Sequence, residues 1–514
     1  DPAVQPGGYA HQPGGYHPGA ASVGMGAFGF RAGRCTESRG VVFERTGVDK
    51  PGANRMNLIQ TLRNWIQDRL LRQVVRNSSY LFVSNAISAV LSIVTANLLG
   101  VAGFGVLGIV IGFCSNVNRL LSFRMGDLVV KYMGEAMAQE QPRRAAAVVK
   151  AAMLVESVTS LIAYGVLVLL APLGALYIVK DPTTEPLIML YGLSLLANFS
   201  TETATGVLQV TNHYRSQALI NLIQSLVTAG LIIWAYVTHA GLLAVLVAYL
   251  VGKMIIGLGP IAVSLYWLPR VLGRGWWKAP FSLLPARREL AGFAISTNFS
   301  GTINVIARDS EVLWVGYFFS PLEAGYYKTA LAIINLVIMP ITPFISTTYP
   351  EITRYVARGV WTRLRRLLGQ VTAIAGSWTI LVAIGLLLFG DVILFSAWQP
   401  IFGRVIQIYP EEFLPALPIL FILLIGFGTA NTLFWNRPLL LAFGKPGYPL
   451  KIAFWTMAAK VALAFWLVPR FGYWMEAVLL SAYFVISVGL IVWEGMREIR
   501  KAEKCRREEM PSCA

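Results

Sequence analysis

Several ionisable side chains stand inside long apolar runs of this chain, where they could hold an anion or carry a proton. The cations are Arg119, Lys253, Arg308, Lys328 and Lys460, and the anions are Glu156, Glu202, Asp309, Glu311 and Glu476. A charge at membrane depth is costly unless it is paired or wet, so each needs a reason. Lys253 and Lys460 lie mid-run, too deep to reach the surface easily, and are expected to face a cavity. Arg308 and Glu311 are three apart, so on a helix they share a face and either neutralise each other or meet a ligand. Asp309 points about 100° away from them and is expected to find Lys328 on the next run. Lys328 is near enough to the outer end to reach the interface instead. Arg119 reads as an interface anchor. Glu202 and Glu156 are candidate proton carriers, against the simpler reading of buried acids that stay protonated or bond a nearby Ser or Thr.

Enzyme chemistry finds little to work with. Gly444-Lys445-Pro446 lacks the first glycine and the hydroxyl of a phosphate-binding loop. His213 and His239 fall on opposite sides of one apolar run. Cys35, Cys114, Cys505 and Cys513 form no CxxC pair, so neither a metal site nor a disulfide framework is expected. The longest outer segment, 391–413, carries Asp391, Arg404, Glu411 and Glu412 without a catalytic arrangement. Neither catalysis nor a cofactor is expected.

The elements that must position these charges follow from composition. Of 514 residues, 56% are apolar and 13% charged, against about a quarter charged in a soluble domain. Apolar runs of about 20 residues recur, which makes this an all-α polytopic membrane protein. Twelve spans are expected, near 80–99, 103–122, 152–177, 186–208, 218–238 and 242–268, then 290–317, 324–347, 370–390, 414–436, 449–468 and 472–493. The net charge of +17 is concentrated between the runs, which argues against a nucleic-acid partner. Basic residues crowd alternate loops, and this places both termini in the cytoplasm.

Six units follow along the chain. Residues 1–55, rich in Gly, Pro and Tyr, read as a disordered tail and as an extension outside the native protein, because Met56 would serve as a start. Residues 56–79 read as a basic amphipathic helix on the cytoplasmic leaflet, or as the basic flank of the first span. A six-span lobe (80–268), a basic linker (269–289), a second six-span lobe (290–493) and a charged cytoplasmic tail (494–514) complete the chain.

The halves resemble each other. GVAGFGVLGIVIGFCSNVN (100–118) aligns with SPLEAGYYKTALAIINLVI (320–338), placing Gly105 on Gly325. Lys131-Tyr132 then matches Arg354-Tyr355, and Arg143-Arg144 matches Arg365-Arg366. Six spans return the chain to the same side, so the repeat is parallel and a cavity is expected between two six-helix lobes.

ANLLGVAGFGVLG, FRMGDLVVKYMGE, RRAAAVVKAAMLVES, RDSEVLWVGYFFSPLEAGYYKTA, PFISTTYPEITR, GKPG and VPRFG together resemble the Wzx-type polysaccharide flippases. Their superfamily also holds the multidrug and toxic-compound extrusion transporters and the lipid II flippase. The resemblance covers roughly 78–495 and implies a two-lobed bundle that opens alternately to each side. It implies as cargo an undecaprenyl-diphosphate-linked oligosaccharide, for lipopolysaccharide or exopolysaccharide, moved across a bacterial inner membrane. A proton or sodium gradient would drive an antiport cycle, and polysaccharide polymerase machinery would take the product. Lys253, Arg308, Lys328 and Lys460 would then line a basic lumen, with Glu202, Glu156, Asp309 and Glu311 as coupling carboxylates. YWMEAV (473–478) departs from the small residues usual after the late Pro-x-x-Gly turn and places Glu476 near the outer mouth. A multidrug or metabolite exporter of the same superfamily is the alternative, and a membrane glycosyltransferase, polymerase or ligase is the alternative from another class.

Overall fold

The computed structural model describes the backbone of residues 69–508, apart from Arg124, Ala397, Phe402, Gly403 and Gln407. Side chains are described from Ala86 to Cys505, with 397–407 and a few isolated positions left out. The expected tail at 1–55 and the expected amphipathic helix as far as residue 68 lie outside the described residues.

Apolar sequence with few breakers gives helix after helix. They run as α1 (Arg69–Leu121), α2 (Gly126–Ala138), α3 (Pro142–Leu173), α4 (Glu185–Ala197), α5 (Thr201–Val210), α6 (Tyr214–Val237) and α7 (Leu242–Val271) in the first half. The second half holds α8 (Arg287–Asn304), α9 (Glu311–Phe318), α10 (Pro321–Ile338), α11 (Thr342–Ala357), α12 (Trp361–Phe395), α13 (Ala416–Thr432), α14 (Asn436–Ala442), α15 (Gly447–Phe471) and α16 (Trp474–Glu508). Between α12 and α13, β1 (Trp398–Ile401) and β2 (Arg404–Ile406) pair antiparallel, a small addition to the expected all-α fold.

Among the described residues, ten helices are long and apolar enough to cross a membrane. Hydropathy expects twelve, and the difference lies in two breaks. Gly100, at φ 65° and ψ 178°, divides α1 into two helices, a conformation that glycine adopts without a Cβ penalty. Residues 198–200 divide the 186–208 run into α4 and α5, each too short to be counted alone.

The breaks recur at matching places in the two halves. A left-handed Glu140 (φ 55°) precedes α3, as a left-handed Gly359 (φ 65°) precedes α12. The residues that follow, Gln141 (φ −108°, ψ 68°) and Val360 (φ −92°, ψ 72°), have nearly the same backbone. Asn212 and His239 flank α6 with positive φ, and Gly444 and Gly472 flank α15 likewise. The α13–α14 interruption at 433–435 is the counterpart of the one at 198–200.

The largest apolar core joins the halves rather than filling either one. It includes Phe104, Leu107 and Ile109 from α1 with Tyr327 and Ile334 from α10 and Leu420 from α13, all essentially sealed. Such packing, at the density of a protein interior, holds α1 against α10. Toward one end of the bundle α2 meets α8, where Tyr132 Oη donates to Glu289 Oε1 at 2.9 Å. The Tyr132 ring stands edge-on to Phe293 at 5.9 Å, with the Lys131 ammonium 5.0 Å from the Phe293 centroid.

Candidate functional site

Sequence spacing alone would keep α8 and α9 continuous, but the chain winds as a π-helix over Val305–Asp309 and turns at Ser310. Ser310 Oγ donates to Val305 O at 2.7 Å and holds the turn. It also accepts from Asn116 Nδ2 of α1 at 2.9 Å, which fixes the distortion to the other half. Single π turns inside helices are frequent at functional sites. Here the turn aims Arg308 and Asp309 into the seam between the halves.

Asp309 holds two arginines. Arg119 Nη1, at the end of α1, lies 2.5 Å from Asp309 Oδ2, and Arg308 Nε lies 3.1 Å from Asp309 Oδ1. Both guanidinium side chains remain about half exposed, at 53% and 50%. Lys253, on α7, is solvent-accessible although protein surrounds it, and Arg119 is its charged neighbour. Two arginines thus share one carboxylate, with Lys253 as a further cation near Arg119. Exposed cations at this depth need water or an anion, and a guanidinium pair presents the forked donors that suit phosphate.

Two expected pairings are corrected here. Arg308 does not neutralise Glu311, because the π turn and the break at Ser310 destroy the i, i+3 register on which that pairing relied. Asp309 meets Arg119 rather than Lys328. Lys328 instead donates to Phe104 O at 3.0 Å and lies 3.8 Å above the Phe104 ring. Gly108 makes room for it, since a Cβ there would sit 2.5 Å from Lys328 Cδ. Lys328 is therefore a strut between α10 and α1, not an open lumen charge.

Lys460 is also corrected, because it faces the protein interior. Its ammonium pairs with Glu311 and lies 3.0 Å from Glu476 Oε1, and the three side chains are 3%, 1% and 0% exposed. Tyr327 Oη donates to Glu311 Oε2 at 3.0 Å, and Lys460 Nζ donates to Ala307 O at 3.0 Å. Glu476, in the first turn of α16, is sealed within this cluster.

Glu156 has a structural task. The break at 198–200 leaves the first N–H groups of α5 without carbonyl partners, as at any helix start. Glu156 Oε1 accepts from Glu202 N at 2.8 Å and Oε2 from Thr203 N at 2.9 Å. A carboxylate there also suits the positive end of the helix dipole. Glu202 lies against the start of α2, its Oε2 3.1 Å from where a Cβ on Gly126 would stand. The seam thus gathers Lys253, Arg308 and Asp309 of the expected residues and adds Arg119, whose partner 190 residues away leaves no trace in local sequence.

Among the described residues, ten helices of membrane-spanning length, in a bundle joined by one charged seam, make a multi-pass membrane fold that solved structures share. The chain matches an inward-facing multidrug resistance MATE family transporter of the MOP superfamily with TM-score 0.60 and 14% identity, over 82% of this chain and 96% of that one. It matches the lipid II flippase MurJ in its inward closed conformation with TM-score 0.62 and 13% identity, over 83% and 90% of the two chains. These likenesses show a shared fold; the two neighbours are a transporter and a flippase. The family model described as polysaccharide biosynthesis protein matches residues 94–399, and the chain belongs to that family. A curated relative, the inner membrane protein YghQ of Escherichia coli K12, is 26% identical over 341 residues, 64% of this chain and 93% of that protein.

Proposed function

We propose that this protein is a flippase for a diphosphate-linked glycolipid, moving the oligosaccharide headgroup from the cytoplasmic to the outer leaflet of a bacterial inner membrane. The observation that carries the reading is the seam at Asp309, where Arg119 and Arg308 offer more positive charge than the one carboxylate neutralises and Lys253 lies near Arg119. A diphosphate headgroup meets those cations while its lipid tail stays in the bilayer. The halves act as two six-span lobes, with both termini cytoplasmic, and rock about their shared core to open each side in turn. An ion gradient biases that equilibrium, and a polymerase uses the product on the outer leaflet. Membership of a polysaccharide biosynthesis family and the inner-membrane relative support the cargo class and the location.

The test is complementation with leaflet analysis. In a host lacking the gene, lipid-linked glycan should accumulate on the cytoplasmic face and be relieved by the wild type. Lys253→Ala combined with Arg308→Ala should express and fold yet fail to relieve it. Full relief by that variant contradicts the reading, and altered drug sensitivity with normal glycolipid would indicate an exporter.

A further inference from the structure

We propose that Lys460, Glu311 and Glu476 form a site for one exchangeable proton, and that the π-helical segment 305–309 carries its occupancy to Arg308 and Asp309 in the seam. This rests on the transport reading above and names its coupling ion.

Charge counting comes first. One ammonium stands among two carboxylates, each of the three at most 3% exposed. With every group ionised the cluster carries a buried net negative charge, which a low-dielectric interior strongly disfavours. One added proton removes the imbalance. A hard metal ion demands a shell of oxygen ligands, whereas the ammonium already occupies the place between the carboxylates.

Both carboxylates share that ammonium. Glu311 accepts from both Lys460 and Tyr327. Glu476 is fully buried beside the same ammonium, with Lys460 Nζ 3.0 Å from its Oε1. One proton, drawn from water and returned to it, restores that balance between the two carboxylates. The titratable groups facing the cluster are its own members and Tyr327 of α10, while Tyr483 of α16 feels Lys460 together with Arg308 and Asp309 of the seam.

The route to the seam is short. Lys460 Nζ also donates to Ala307 O, inside the π turn and next to Arg308 and Asp309. Loss of the proton leaves two charged carboxylates competing for the ammonium and draws it from Ala307. The turn then relaxes, and with it the Arg119–Asp309 contact between the halves.

Infrared difference spectroscopy on the purified full-length protein in lipid nanodiscs tests the site. The wild type should show a protonated carboxyl band that is lost as pH rises. Glu476→Gln and Glu311→Gln each balance Lys460, so both should lack the band, while Glu202→Gln should retain it. Melting curves identify folded variants. Persistence of the band in both cluster variants overturns the site, and so does its loss on adding sodium at fixed pH. Pyrophosphate binding reads the transmission: its affinity should change with pH in the wild type and not in Glu476→Gln. An unchanged pH dependence in that variant overturns the transmission. Absence of pyrophosphate binding throughout overturns both the transmission and the anion reading of the seam, while the band still decides the proton site.

Discussion

Gly105 and Gly325, aligned with each other by the internal repeat, are pressed together where α1 crosses α10. A Cβ on Gly105 would lie 1.8 Å from Pro321 O and 2.8 Å from Gly325 N, and one on Gly325 would lie 2.2 Å from Val101 O. Backbone meets backbone there, so nothing flexible can yield. Gly105→Val should destabilise this closed contact by about 1–3 kcal/mol, the usual cost of overpacking. That shifts the balance between conformations by roughly 5–150-fold. Spin labels on the ends of α1 and α10 should report a longer distance in the variant, and an unchanged distance would show that the contact is not a closure.

Glu156→Ala should unfold the protein more readily without touching transport chemistry. Two N–H groups at the start of α5 would lose their acceptors inside a membrane, where water cannot replace them. The expected loss is about 2–5 kcal/mol, read as a lower melting temperature. Transport per folded molecule should stay near the wild-type value. A stable variant that cannot transport would return Glu156 to the coupling carboxylates.

Tyr132 gives the α2–α8 contact a defined alkaline limit. Burial, aided by the hydrogen bond to Glu289, pushes its phenol from its ordinary value of 10.0 up to about 12. The phenol's pKa is raised in the folded state, so its contribution is complete below about pH 10 and is lost as pH climbs through about 12. Across the neutral range the contact should therefore be pH-independent. Tyr132→Phe should weaken the α2–α8 contact at neutral pH and abolish the alkaline loss, measured by labelling of a cysteine placed on α2. Identical labelling of variant and wild type would show that the hydrogen bond bears no part of the contact.

Much of this architecture was legible in the sequence, and the reasons are physical. Apolar length marks the spans, and the alignment of Gly105 with Gly325 marks a repeat whose backbone counterparts appear at Glu140 and Gly359. Hydropathy could not foresee that Gly100 and residues 198–200 interrupt helices, because each break depends on partners far along the chain, Glu156 among them. The charged residues were visible as costly, but their pairings were not. The rule that joins Arg308 to Glu311 assumes an unbroken α-helix, and the π turn removes that assumption. Lys460 finds Glu311 from 149 residues away. Only the folded chain separates a sealed cation from one that faces the seam.

Lys328 should prove structural in the same way. Lys328→Met keeps the stem beside Gly108 and removes only the ammonium that bonds Phe104 O. Melting temperature should fall modestly, by the equivalent of about 1–3 kcal/mol, while selectivity for the cargo's charge stays as in the wild type. A changed charge selectivity would place Lys328 among the binding cations.

Flipping by the purified protein in proteoliposomes, with diphosphate-linked and uncharged versions of one glycolipid, addresses the role of the seam most directly. Wild-type protein should move the diphosphate form well ahead of the uncharged one, and Arg119→Ala or Arg308→Ala should erase that preference. Equal transport of both lipids, unchanged by either substitution, would contradict the account.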